Sequence, residues 1–535
     1  MIQTIFYGGR VVTMDGRVTE AVCVEDGRIA FTGSNEEALL MRSAGTKLVP
    51  LSGALMLPGF IDTHMHFLGY GKSLSIAQLG PARSKAELIE TGRAFMAAHP
   101  GLRALIGAGW NNDHWSDDAT FPTREQLDLI TRDIPVAFTR TCYHIVCLNT
   151  RALEICGITE NTPDPEGGSI YRDGNGTPTG VLSEDACSLA APVYPDETAD
   201  DFMGYLRASA ADAVSCGLTT VHTDDLELDH GAPDLALKAY SSLLEGDWLP
   251  VRVYEQCRLA NAVMQRDFFG AGYEFYQGDG RFRIGPMKLV ADGSLGARTA
   301  YLKKPYCDAP ETRGLAIYTQ EQLDELIINA ARHNMPSVVH AIGDAMLDMV
   351  LNSFEKARRV EKTPLRHAVI HCQLTSPEQL ARMAKLSIMA QTQPIFLDYD
   401  IHMAQQRAGE LIKTSYAFNT MRGLGILEAF GSDCPVERFN AIQGIYHAVT
   451  RQDLSGFPEG GWYPNERMSV ADAVACFTRD AAYTSYEENT KGTISAGKLA
   501  DLVVLDRDIF SIEPADIKNA GVVMTVLGGK IVYEK

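Results

Sequence analysis

"LPGFIDTHMH", residues 57–66, ends an apolar run in two histidines spaced two apart. In an extended strand successive side chains alternate faces, so Asp62, His64 and His66 share one face while Ile61, Thr63 and Met65 share the other. Two imidazoles then converge on one point, as the ligands of a single metal ion do. The competing reading is a pair of strand-end histidines that merely satisfy hydrogen bonds.

The runs that follow weigh on the choice. From about residue 57 to 480, strand-like apolar segments alternate with amphipathic stretches such as "AELIETGRAFMAAH" and "QLDELIINAARHN". That is the pattern of βα units around a parallel sheet. Ten strand-like runs are present, and a (β/α)8 barrel, the fold of triosephosphate isomerase (TIM), holds only eight. Two of the ten, "ALIGAGW" and "PVAFTRT", lie in an aromatic-rich, Gly/Pro-rich stretch from about 70 to 200, read as an insertion that caps the barrel mouth. The other eight place strand ends near His66, Asp224, Cys257, Asp292, Asp344, Gln373, Pro394 and Pro435. Outside this span, residues 1–56 and 481–535 are β-rich with Asp-Gly and Gly-Gly turns, and are expected to pair into one composite β-sandwich.

On that strand assignment His64 and His66 fall on strand one, Lys288 on four, His340 on five, His371 on six and Asp433 on eight. All lie near C-terminal strand ends, the face on which barrel active sites are built. Each residue alone could be an ordinary buried polar group, but six of metal-binding or metal-bridging type at correctly phased ends point to a metal centre.

Composition narrows the partners. The 535 residues carry 48 Lys plus Arg against 68 Asp plus Glu, a net charge of −20 that repels polyanions and anionic membranes, so nucleic acid is excluded as a partner. The eleven cysteines contain no CxxC pair and read as reduced thiols. No apolar stretch has the length of a membrane span and the N-terminus lacks the layout of a signal peptide, so the expectation is a cytoplasmic protein. A homodimer is left open.

Taken in order, "LPGFIDTHMH", "PTGVLSEDA", "GLTTVHTDD", "MKLVADGSLGARTA", "VHAIGD", "VIHCQ", "GSDCPV" and "GTISAGKLADLVVLD" resemble the amidohydrolase superfamily, within it the subgroup related to N-substituted formamide deformylase. The resemblance spans nearly the whole chain. It implies a (β/α)8 barrel with a composite β-sandwich and one or two divalent metals, usually zinc, at the barrel mouth. It makes His64 and His66 ligands of the deeper metal, His340 and His371 ligands of the outer one, Lys288 a bridge after carboxylation, and Asp433 the general base. The implied activity is hydrolysis of a C–N bond, amide-type, in a small molecule. Two alternatives stand beside it. A mononuclear deaminase of the same superfamily would have a Glu close after His340, where this chain offers Asp344; a non-catalytic scaffold would tend to have lost ligands. For substrate contacts the sequence offers Trp110, Tyr143 and His144 of the insertion and Arg298 after strand four, with core packing or a loop salt bridge as the plainer reading of each.

Overall fold

The computed structural model describes residues 2–535 except 117, 119, 143 and 228–232, together with the side chains of all these but 114, 227, 233 and 234. The chain divides into two compact units, Met1–Gly69 with Leu206–Lys535, and Tyr70–Tyr205.

The first unit contains an eight-stranded parallel sheet curled into a nearly closed barrel. Its strands are β1 (Phe60–Met65), β2 (Leu218–Thr223), β3 (Arg252–Arg258), β4 (Phe282–Val290), β5 (Ser337–Ala341), β6 (Ala368–His371), β7 (Met389–Thr392) and β8 (Glu428–Phe430). Each is hydrogen-bonded in parallel to the next in sequence. These are the eight runs that remained after the insertion was set aside. The helices between them follow from apolar spacing. In Gln320–Arg332 the buried residues Leu323, Leu326, Ile327, Ala330 and Ala331 recur every three or four positions, so one stripe faces the sheet. Thr319 caps its first turn and Gln322 bonds back, which satisfies orphan N–H groups at the helix start.

The opening stretch is not one strand. It breaks at Gly59: Leu55–Pro58 belongs to a sheet built from both chain ends, and only Phe60–Met65 enters the barrel. A Cβ on Gly59 would fall 2.3 Å from the Thr219 side chain, so the crossing from one sheet to the other requires glycine. The terminal six-stranded sheet pairs Leu55–Pro58 with Leu502–Leu505 and with Arg10–Val12. A four-stranded sheet of Thr4–Tyr7, Ala21–Glu25, Arg28–Gly33 and Lys47–Pro50 packs on it through Phe6, Val22, Val24, Met56, Leu502 and Val504. The helix Arg479–Thr484 lies on the barrel instead, with Ala481 and Ala482 against Ile61 and Ala429.

The second unit has its own six-stranded mixed sheet. The runs "ALIGAGW" and "PVAFTRT" are found here as Leu105–Trp110 and Val136–Arg140, paired in parallel with each other. Neither is a barrel strand.

Where β3 begins, Arg252 donates to both oxygens of Asp501, at 2.7 and 2.9 Å, and Asp501 also accepts from the Gly528 N–H. Both side chains are almost fully buried. Replacing Asp501 by Ala leaves a buried guanidinium without its counter-charge, and should lower stability by about 3–5 kcal/mol. Chemical denaturation checks this; an unchanged midpoint would contradict it.

Candidate metal centre

The barrel closes at the junction of β1 and β8, and no strand ladder spans that junction. Its bonds join the end of β1 to the residues just past β8: Asp433 N–H donates to the His64 carbonyl at 2.8 Å, and His66 N–H to the Cys434 carbonyl at 2.7 Å. Asp62 Oδ1 accepts from the N–H groups of His64 and Ser432, each at 3.1 Å, and so ties the two ends together. A Cβ on Gly431 would stand 2.7 Å from the His64 nitrogen, so glycine is what lets the strands approach.

This seam sets three side chains around one point. His64 Nε2 and His66 Nε2 each lie 3.2 Å from Asp433 Oδ1. Donors on one tetrahedral zinc, bound at about 2.0–2.1 Å, stand roughly 3.3 Å apart, so the set fits a catalytic zinc-type ion in both chemistry and spacing. Among the described residues these three form the one cluster of His, Cys, Asp or Glu whose ligand atoms lie within 4.8 Å of one another.

His340 and His371 stand beside them. Their ring centroids are 4.3 Å apart, and His371 is 5.8 Å from His64. Lys288 Nζ is 3.0 Å from His64 Nε2 and 3.8 Å from Asp224 Oδ2. Asp224 is thus one carboxylate beside it. Asp292 instead accepts the N–H groups of Tyr301, Ile342 and Gly343, and organises the loop after β4. The six residues named from the sequence therefore meet at one end of the barrel.

Side chains that the sequence reading passed over set the orientation of the rings. His64 Nδ1 bonds Gln256 Oε1 at 2.8 Å, and His371 Nδ1 bonds Gln393 Oε1 at 2.7 Å, so both rings turn Nε2 to the centre. His66 Nδ1 lies 2.5 Å from Asp224 Oδ1. His340 is turned the other way: its Nε2 meets the Gly293 carbonyl at 3.2 Å, which leaves Nδ1 as its lone-pair nitrogen. The available signal was a polar residue at or just past a barrel strand end, in "HTDD", "YEQC" and "QTQP".

Electrostatics sorts the imidazoles. Burial, and then the Lys288 ammonium, hold His64 below its ordinary value and push His340 down to about 3. Burial followed by His340 lowers His371 strongly. These three are neutral and present lone pairs. Burial opposes charge on His66 too, but Asp224 and then Asp433 outweigh it and raise it to about 10. Burial raises Asp433, but the close approach of the His64 and His66 imidazoles outweighs it and holds the carboxyl well below the carboxylate range. The backbone is also unusual, with His371 at φ 70° and Asp433 at φ 60°, left-handed conformations that non-glycine residues adopt at a cost and that cluster at active sites.

The substrate-contact residues behave differently. Trp110 is fully buried in the core of the second unit, against Phe138 and Trp115, and its Nε1–H donates to the Phe138 carbonyl at 3.2 Å. His144 is exposed and pairs with Glu184 at 2.7 Å. Tyr143 lies outside the described residues. Arg298 donates through Nε and Nη2 to Asp308, which Arg407 also holds. Asp344, at the deaminase position, accepts from the Lys303 N–H at the start of a helix.

The amidohydrolase family matches residues 47–533. The chain belongs to that family. YtcJ of Bacillus subtilis (strain 168) is 35% identical to it over 100% of both chains. The N-substituted formamide deformylase of Arthrobacter pascens is 25% identical over 100% of this chain and 99% of its own. Among solved structures, an uncharacterised metal-dependent hydrolase of Pyrococcus furiosus superposes with a TM-score of 0.78, at 26% identity, over 95% of this chain and 100% of that one. The amidohydrolase is thus a metal-dependent hydrolase built on a (β/α)8 barrel with additional sheets, its centre fits a divalent metal, and its family implies a small-molecule substrate. Among the described residues no helix is long and apolar enough to cross a membrane.

Because Trp110 is core, Trp110→Ala should destabilise the second unit by about 3–5 kcal/mol. Differential scanning calorimetry reads the effect, and a variant as stable as the parent would contradict it.

Proposed function

We propose that this amidohydrolase hydrolyses a C–N bond of amide type in small molecules, with N-substituted formamides as the first class to test. The observation that carries the reading is the convergence of His64 Nε2, His66 Nε2 and Asp433 Oδ1 on one point at the barrel mouth. The relative named for formamide deformylation, aligned over the full length of this chain, supports the substrate class.

His64 and His66 would hold the deeper metal, zinc in this reading, with Asp433 reaching it, and His340 and His371 would hold a second. When bound, the divalent ion polarises a carbonyl and brings the pKa of water near 7. The chain's own residues do the rest. Asp433 Oδ1 faces the two imidazoles, which leaves Oδ2 to take the proton of the attacking water and deliver it to the departing nitrogen. Gln256 and Gln393 keep the Nε2 atoms of His64 and His371 aimed inward. An ammonium is ill placed beside metal cations, so Lys288 is assigned as a carbamate: its neutral amine adds carbon dioxide, loses one proton and gains two oxygens that suit a pair of metals.

His64→Asn should lower bound metal and abolish turnover while the protein stays folded, as read by elemental analysis, a formamide and acyl-amine panel, and circular dichroism. Full activity in that variant refutes the assignment. Lys288→Ala should lose activity and regain part of it with short carboxylic acids; one metal per chain at saturation, with a bare Lys288 amine in electron density, refutes the bridge.

A further inference from the structure

The three rings that turn Nε2 toward the centre are held at Nδ1 by unlike groups. His64 and His371 meet neutral amide oxygens, whereas His66 meets a carboxylate, Asp224 Oδ1, at 2.5 Å. Asp224 is fully buried just past the end of β2, and among the described residues no backbone N–H or hydroxyl bonds either of its oxygens. A carboxylate taken out of water with no such partner is costly unless a charged or strongly donating group faces it. Among the groups near it are the His66 ring and, 3.8 Å from Oδ2, Lys288 Nζ. Both belong to the metal centre.

We propose that Asp224 is a positioning residue that fixes His66 and Lys288 for metal binding. The proposal rests on the metal-centre reading above. Asp224 is not itself placed as a ligand: it lies on the Nδ1 side of the imidazole, while the Nε2 side meets Asp433 Oδ1 at 3.2 Å, so the ring stands between Asp224 and the convergence point. From there it meets both groups. Its Oδ1, 2.5 Å from Nδ1, favours a proton on that nitrogen, which leaves Nε2 with the free lone pair and makes it a stronger donor than a neutral amide partner would. Its Oδ2 also stands 3.8 Å from the Lys288 nitrogen, an ion-pair contact beyond hydrogen-bond distance. One carboxylate thereby stands between the ligand just past β1 and the lysine on β4.

The test uses the full-length protein stripped with a chelator, titrated with zinc alone against a chromophoric competitor, and separately loaded with cobalt(II) for its visible spectrum. Asp224→Ala should bind zinc about 10- to 100-fold more weakly and show a shifted cobalt spectrum. Asp224→Asn, which keeps an acceptor oxygen of the same shape, should recover part of the affinity and is the variant whose fold is least disturbed. Circular dichroism of the metal-free proteins separates loss of a positioning contact from loss of fold. Parental zinc affinity and an unshifted cobalt spectrum in both variants would overturn the proposal. A parent protein that binds neither metal would instead overturn the metal-centre reading on which it stands.

Discussion

The bond from the Asp433 N–H to the His64 carbonyl closes the barrel and in the same stroke places the side chains of the candidate metal centre. Seven strand junctions are parallel ladders, but the eighth is made by residues 62–66, at the end of β1, and 431–434, just past β8. Three of the residues bonded there, His64, His66 and Asp433, carry the side chains that converge. The closure that makes the barrel therefore also sets the 3.2 Å spacing between Asp433 and the two imidazoles. Glycine at 431 and a left-handed Asp433 are its conformational consequences.

Charge balance follows from that geometry. Asp224 and Asp433 are both buried, and two buried carboxylates demand positive charge nearby. Asp224 and Asp433 raise His66 toward its charged form and Lys288 Nζ stands 3.8 Å from Asp224, while burial lowers His64, His340 and His371. A divalent cation at the convergence point meets the same demand, taking the place of the His66 proton at Nε2. The centre is thus suited to a cation by its carboxylates and to a borderline-soft one by its imidazoles.

What was legible in the sequence was whatever periodicity and strand-end phase encode. The eight barrel strands, the exclusion of "ALIGAGW" and "PVAFTRT" from them and the placing of six polar residues near strand ends follow from apolar runs and their C-terminal ends. The break at Gly59 was not legible, because an apolar run looks the same whether it serves one sheet or two. Nor were Gln256, Gln393 and Asp224, whose importance lies in which ring nitrogen they face, a matter of cross-strand register that one chain segment does not disclose. Arg298 shows the converse. A cationic residue in the loop after a catalytic strand reads as a substrate contact, yet here Asp308 occupies its guanidinium.

The central claim is that His64, His66 and Asp433 together bind one metal ion. Anomalous diffraction from a crystal of the zinc-loaded protein, collected on both sides of the zinc edge, tests it most directly. The account predicts an anomalous peak within bonding distance of His64 Nε2, His66 Nε2 and an Asp433 oxygen. A fully loaded crystal with no peak at that point, or with either imidazole turned away from it, would contradict the account.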